Sequence, residues 1–162
     1  MKVIGFRADA QTVFWAVVTI GGESPVLEEH GKIRLPKEVD LGDQLHVFRD
    51  RLDNIIQRNK PELAALRFQE TFLPKLNRKN IPSMLVRARV EGVVTFAAAA
   101  AGLPVWTGQS AQMKSGMKTK TPVRTYLEMD EVRGMDWSDL NEKEREAALV
   151  AVAAGQDKGD AE

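Results

Sequence analysis

The sequence predicts an α/β domain. Its centre is a mixed five-stranded sheet, a three-strand meander followed by alternating helices and strands, with helices flanking it. Three observations carry this. First, β-rich runs at 2–8, 12–20 and 26–35 are joined by links short enough to favour antiparallel returns. Second, a run of helical period begins at Asp40. Third, two more apolar runs, at 63–68 and 104–107, are each preceded by a helical stretch, the alternation that builds parallel pairing.

The first link spans Ala8 to Gln11, and Gly21, Gly22 and Pro25 make the second turn. Pro36 closes the third strand. In the first helix Leu45, Phe48, Leu52, Ile55 and Ile56 share one face, while Arg49, Arg51, Asp53 and Arg58 point elsewhere. Lys60 and Pro61 end it. Leu63 to Phe68 is apolar enough for a strand covered on both faces. Residues 73–82 read as a polar loop with Lys75, Arg78 and Lys79. Ser83 is a plausible N-cap for an Ala-rich helix to Ala101, stopped by Gly102. Its run of alanines from Ala97 permits close packing. After the strand at 104–107 comes a basic loop, then a helix from about Pro122 to Val132. Ser138 or Asn141 caps a last helix, 142–154, apolar at Ala147, Ala148, Ala151 and Val152. Residues 1–155 read as one domain and 156–162 as a frayed polar tail.

The totals narrow the function. In 162 residues, 23 basic side chains balance 23 acidic ones, so any nucleic-acid argument rests on local clustering. No cysteine is present, which excludes disulfides and thiolate metal sites and fits a reducing cytoplasm. His30 and His46, the two histidines, lack metal or triad companions and read as structural or surface residues. The start lacks a secretion-signal pattern, and the most apolar stretch, 93–105, is too short and too broken to span a bilayer. A soluble cytoplasmic protein is expected.

The order of elements is that of the ribonuclease-H-like fold, and the local motifs are more specific. The stretch 3–9 (VIGFRAD), the segment 66–72 (LRFQETF), the entry 87–92 into the Ala-rich helix, the Lys- and Gly-bearing loop 112–120 and the helix segment 146–151 follow one another as in a single family. Over nearly its whole length the chain resembles RuvC-type Holliday-junction resolvases. That resemblance implies a ribonuclease-H-like fold, a homodimer, DNA contact through the basic loop, and four carboxylates holding two Mg2+ ions that activate water and stabilise the leaving oxygen.

The carboxylates depart from the pattern. Aligned on Gly5 the first falls on Arg7; aligned on Phe72 the second falls on Gln69; the last two fall on Lys143 and Glu146. A guanidinium where a metal belongs repels divalent cations. One reading is a degenerate site in which Arg7 pairs with Asp9, Glu70 or Glu146. The other is a shifted cluster of Asp9, Glu70, Glu142 and Glu146, with Asp9, Glu70 and Glu146 catalytic and Mg2+ or Mn2+ as the ion.

From Gly92 to Leu127 there is no acidic residue, while Lys114, Lys118, Lys120 and Arg124 accumulate. These cations, with Arg87 and Arg89 at the nearby helix start, are the candidate phosphate contacts. Trp15 and Trp106 read as core, and Trp137, among Asp136, Ser138 and Asp139, as an exposed partner contact. The expected function is a RuvC-like domain that binds structured or branched DNA, or serves within a larger nucleic-acid-processing complex, with cleavage lost. The alternatives are a metal-dependent endonuclease and a protein-interaction scaffold.

Overall fold

The computed structural model describes residues 1–36, 40–68 and 81–159. Side chains alternate across β1 (Lys2–Ala8), so Ile4, Phe6 and Ala8 enter one core while Val3 enters another on the opposite face. β1 pairs antiparallel with β2 (Thr12–Thr19), and β2 with β3 (Val26–Arg34). On its other edge β1 pairs in parallel with β4 (Leu63–Arg67), and β4 with β5 (Val105–Gly108). The order β3-β2-β1-β4-β5 is the expected mixed sheet with its meander at one edge.

Two helices cover the Ile4 face. α1 (Leu41–Asn59) starts where Asp40 Oδ1 accepts the Asp43 N–H at 3.0 Å, and it buries Phe48, Leu52 and Ile56. α2 (Ile81–Ala100) begins two residues before Ser83, with Pro82 in its first turn, a position where the missing N–H costs nothing. The helix stops at Gly102, whose φ of 77° suits glycine, and the Leu103 N–H reaches back to the Ala98 carbonyl at 3.1 Å.

The Val3 face differs from expectation in three places. The basic loop contains a helix, α3 (Ser110–Gly116), whose start is closed by reciprocal bonds between Gln109 and Gln112. The helix expected from Pro122 to Val132 is only α4 (Val123–Leu127). A hairpin of β6 (Glu131–Val132) and β7 (Met135–Asp136) follows, turning at Arg133 and Gly134, both with positive φ. Trp137 is not an exposed contact: it is 1% exposed, donates its indole N–H to the Met129 carbonyl at 2.9 Å, and lies under Arg145. Its polar neighbours are exposed because the chain alternates there.

α5 (Glu142–Gly159) runs five residues past Ala154 and so takes in the start of the expected tail. Asn141 caps it, accepting the Lys143 and Glu144 N–H groups while Glu144 returns a bond to the Asn141 N–H. Every residue from Ala147 to Ala154 is buried. This helix lies close on the sheet because small residues meet there: a Cβ on Gly5 would overlap the Ala147 carbonyl, and one on Gly116 would come within 2.7 Å of the Ala153 oxygen. Among the described residues no helix is long and apolar enough to cross a membrane.

Candidate functional site

The close docking of α5 on Gly5 decides what faces Arg7. Arg7 lies two residues along β1 on the same face as Gly5, and Glu146 immediately precedes Ala147, so the two side chains meet. The Arg7 Nε–H donates to Glu146 Oε2, and its Nη1 donates to the Ala8 carbonyl. In the parallel register Arg7 stands beside Arg67. Arg67 Nε is 3.4 Å from the same Glu146 oxygen, while its Nη1 donates to the Phe68 carbonyl at 2.9 Å and its Nη2 to Ser110 Oγ at 3.2 Å. The Arg7, Arg67 and Glu146 side chains are only 14%, 10% and 12% exposed. Two like charges side by side on adjacent strands repel, and Glu146 is an anion that both of them share.

A third guanidinium is close. Arg87 donates from Nε to Glu91 Oε1 at 2.8 Å, and both side chains are mostly buried. Burial first, then repulsion from Arg7, pushes the Arg87 group below its ordinary value, with a smaller push from Arg67.

Asp9 sits just beyond β1 in the turn, where its N–H donates to the Thr12 carbonyl. Its carboxylate accepts the Lys143 ammonium, which lies 5.5 Å over the Phe14 ring. The Lys143 hydrogen bond holds the Asp9 carboxyl below its ordinary value. Glu142 lines an open cavity of about 630 Å³ together with Arg67, Ser110, Arg124, Arg145 and Glu146. The structure thus joins Glu146 to Arg7 and Asp9 to Lys143, two acids each answered by a cation. Glu70 and Gln69 lie outside the described residues, as does most of the polar loop expected at 73–82. Among the described residues no three acids or histidines are grouped so as to hold a metal ion.

The donor set that is described does not fit a divalent cation. An ion on Glu146 would sit within about 4 Å of two guanidinium groups, and each such +1/+2 contact is unfavourable by about 8 kcal/mol at an effective dielectric of about 20.

The basic cluster divides. Lys114 is half-buried in the last turn of α3; Lys118 and Lys120 are exposed, Lys118 with a φ of 48°. Arg124 is exposed and pairs with Glu128 at 3.2 Å on the same helix. Sequence reasoning missed Arg67 as a site residue. Its signal was a lone cation in an otherwise apolar central strand, which is costly unless a counter-charge waits for it.

No protein-family model matches the chain. Among curated proteins, the crossover junction endodeoxyribonuclease RuvC of Pelotomaculum thermopropionicum is 30% identical over 84% of this chain and 85% of its own length. The RuvC of Magnetococcus marinus is 25% identical over 98% and 95%. Among solved structures, Thermus thermophilus RuvC in complex with Holliday junction substrate matches with a TM-score of 0.77 at 17% identity, over 99% of this chain and 96% of that one. The sheet order and this match place the fold as ribonuclease-H-like. The chain belongs to the RuvC family.

Proposed function

We propose that this chain is a DNA-binding member of the family that has lost phosphodiester cleavage. Its ligand is structured or branched DNA, as the Holliday junction bound by the Thermus relative suggests, and it acts in the cytoplasm, alone or within a larger nucleic-acid-processing assembly. The observation that carries this reading is Arg7. Aligned on Gly5 it falls where the family has its first carboxylate, and it holds Glu146, which the same motif alignment gives as a retained family acid. Cleavage by two metal ions needs carboxylates that neutralise the ions; among the described residues Glu146 is engaged by Arg7 and Arg67, and Asp9 by Lys143. Phosphate contact needs only cations, and Lys114, Lys118, Lys120 and Arg124 supply them, Arg124 from the wall of the cavity that Arg67 and Glu146 line.

The family resemblance also supports a homodimer. α2 presents an apolar stripe left exposed among the described residues: Leu85 is 55% exposed and Phe96 62% exposed, with Ala88, Gly92 and Ala99 between and beyond them. A second copy of the same stripe is the expected occupant.

The test is a labelled four-way junction titrated across a salt series, then incubated with Mg2+ or Mn2+. Tight binding that falls steeply with salt, a log–log slope of up to about −4 for four phosphate contacts, with the junction left intact, is the expected result. Metal-dependent cleavage abolished by Glu70→Gln would replace this reading with the endonuclease and make Asp9, Glu70 and Glu146 its residues. Binding to no nucleic acid would leave a protein-interaction scaffold.

A further inference from the structure

We propose that the cavity beside Glu146 receives one unpaired nucleobase of the bound DNA, and that Glu142 selects guanine there. This rests on the DNA-binding reading above and names the part of the DNA that enters the protein.

The cavity owes its shape to Arg145, which fastens the segment around α4 to the start of α5. Its Nε donates to the Leu140 carbonyl at 3.0 Å, and its Nη1 to the Leu127 and Met129 carbonyls at 3.0 and 2.7 Å. Its Nη2 donates to the Ser138 carbonyl at 3.2 Å and lies 3.5 Å from Asp130. The five N–H groups of the guanidinium thus have five acceptors, so Arg145 builds the wall and keeps no donor for a guest. The same bonds fix Leu127 and Leu140. With Val123, one turn before Leu127 on α4, they make the apolar part of the wall. The polar part is mostly answered already. Arg124 pairs with Glu128, and Glu146 with Arg7 and Arg67. Glu142, in the first turn of α5, differs: it is exposed on the same wall and has no hydrogen bond or ion pair among the described residues. At about 630 Å³ the cavity is of the size that holds small organic groups.

Aliphatic side chains next to an unengaged carboxylate suit a flat ring with N–H groups on its edge. A carboxylate accepts and does not donate, so it sorts the bases by their Watson–Crick edges. Guanine offers N1–H and an N2 amino hydrogen side by side, one for each carboxylate oxygen. Adenine and cytosine each set an amino group beside a bare ring nitrogen, and thymine sets its one N–H between two carbonyls. Each of these three brings a lone pair against Glu142, which is unfavourable. Arg124, 90% exposed on the same wall and four residues along the chain from Lys120, offers a cation to the backbone that carries the base. Extruding a base costs least where pairing is already interrupted, as at the branch point of a junction.

The experiment uses the full chain in EDTA and a set of labelled four-way junctions that differ in one unpaired nucleotide at the branch point: guanine, inosine, adenine, cytosine or thymine. No binding to any of them sinks the DNA-binding reading itself and the site with it. Where wild type binds, the guanine junction is expected to bind about tenfold tighter than the adenine and thymine junctions. Inosine, which lacks the N2 amino group, should lose most of that gain. Glu142→Gln is the decisive variant, because its amide presents one acceptor and one donor, the pair that matches adenine. It should lose the guanine preference and bind the adenine junction more tightly than wild type does, a gain that unfolding cannot imitate. Equal affinity for all five junctions would leave DNA binding standing and overturn the site, and so would a guanine preference unchanged in Glu142→Gln. Guanosine monophosphate, added as a competitor, should not displace the junction at micromolar concentration, since it lacks the backbone contacts. Displacement there would give the cavity to a free nucleotide and overturn DNA as its source. Displacement by an equal concentration of a lysine-containing peptide would give it to a protein partner and overturn the base as its guest.

Discussion

Gly5→Ala tests the contact on which the whole site depends. The added Cβ overlaps the Ala147 carbonyl and comes within 3.0 Å of Ala151 Cβ, so α5 must retreat by at least about 1 Å merely to relieve the overlap. A gap of that size forfeits roughly a third of the attraction at each atom pair it opens. Over about forty pairs along Ala147 to Ala154, at about 0.15 kcal/mol each, the loss is about 2 kcal/mol. That figure agrees with the 1–3 kcal/mol typical of overfilled cores. For a domain of this length it lowers the thermal midpoint by about 4–8 °C, readable by circular dichroism with urea titration as a check. The same retreat draws Glu146 off Arg7, so junction affinity should change along with stability. A midpoint within 1 °C of wild type would mean that α5 is not held at this contact, and the derivation of the Arg7–Glu146 pairing from Gly5 would fall.

Three further outcomes are expected. Trp137→Phe should cost only about 1 kcal/mol, because the Met129 carbonyl keeps the Arg145 donor at 2.7 Å; Trp137→Ala should cost about 3–5 kcal/mol, and equal denaturation midpoints for the two would contradict its burial. Asp9 has its folded pKa lowered by Lys143, so its contribution is fully present above 3.8 and lost as pH falls below that value. Asp9→Asn should therefore flatten the acid limb of the stability curve below about pH 4. The difference is at most about 0.5 kcal/mol, since both side chains are over two-fifths exposed, and a difference confined to neutral pH would be wrong in sign. Phe96→Glu should convert a dimer to monomers in sedimentation equilibrium, and a wild type that is already monomeric would remove α2 as an interface.

The meander, α1 and the two parallel strands were legible because each has a clean period and a clear stop. Asp40, Pro61 and Gly102 act locally, and local signals survive tertiary packing. α3 was not legible. Ser110 to Gly116 carries a lysine and a glycine on seven residues, and only Met113 and Gly116 are buried, too few to show a stripe; the Gln109–Gln112 pair was the available cue. The helix expected to Val132 stopped early because Arg133-Gly134 is a hairpin turn, and the dipeptide was overlooked. Trp137 was misjudged from its neighbours when alternation, not composition, set its burial. At the site, Arg7 was singled out by alignment and its pairing with Glu146 was among the partners weighed. Arg67 was hidden because a register partner is a long-range fact: nothing within β4 says that residue 67 will stand beside residue 7.

That distance along the chain has a consequence for how the protein comes into being. Arg7 and Glu146 are 139 positions apart, and the helix carrying Glu146 is made after every strand of the main sheet. During synthesis the sheet's Val3 face waits, apolar and uncovered, until the last helix leaves the ribosome, and closing so long a loop is slow compared with forming the meander. A nascent chain therefore carries Arg7 and Arg67 side by side before Glu146 arrives to join them, and has no finished site. Cohesion of the fold and completion of the charge cluster arrive in one late step, so a chain interrupted before α5 should be sticky and prone to degradation rather than a weaker binder.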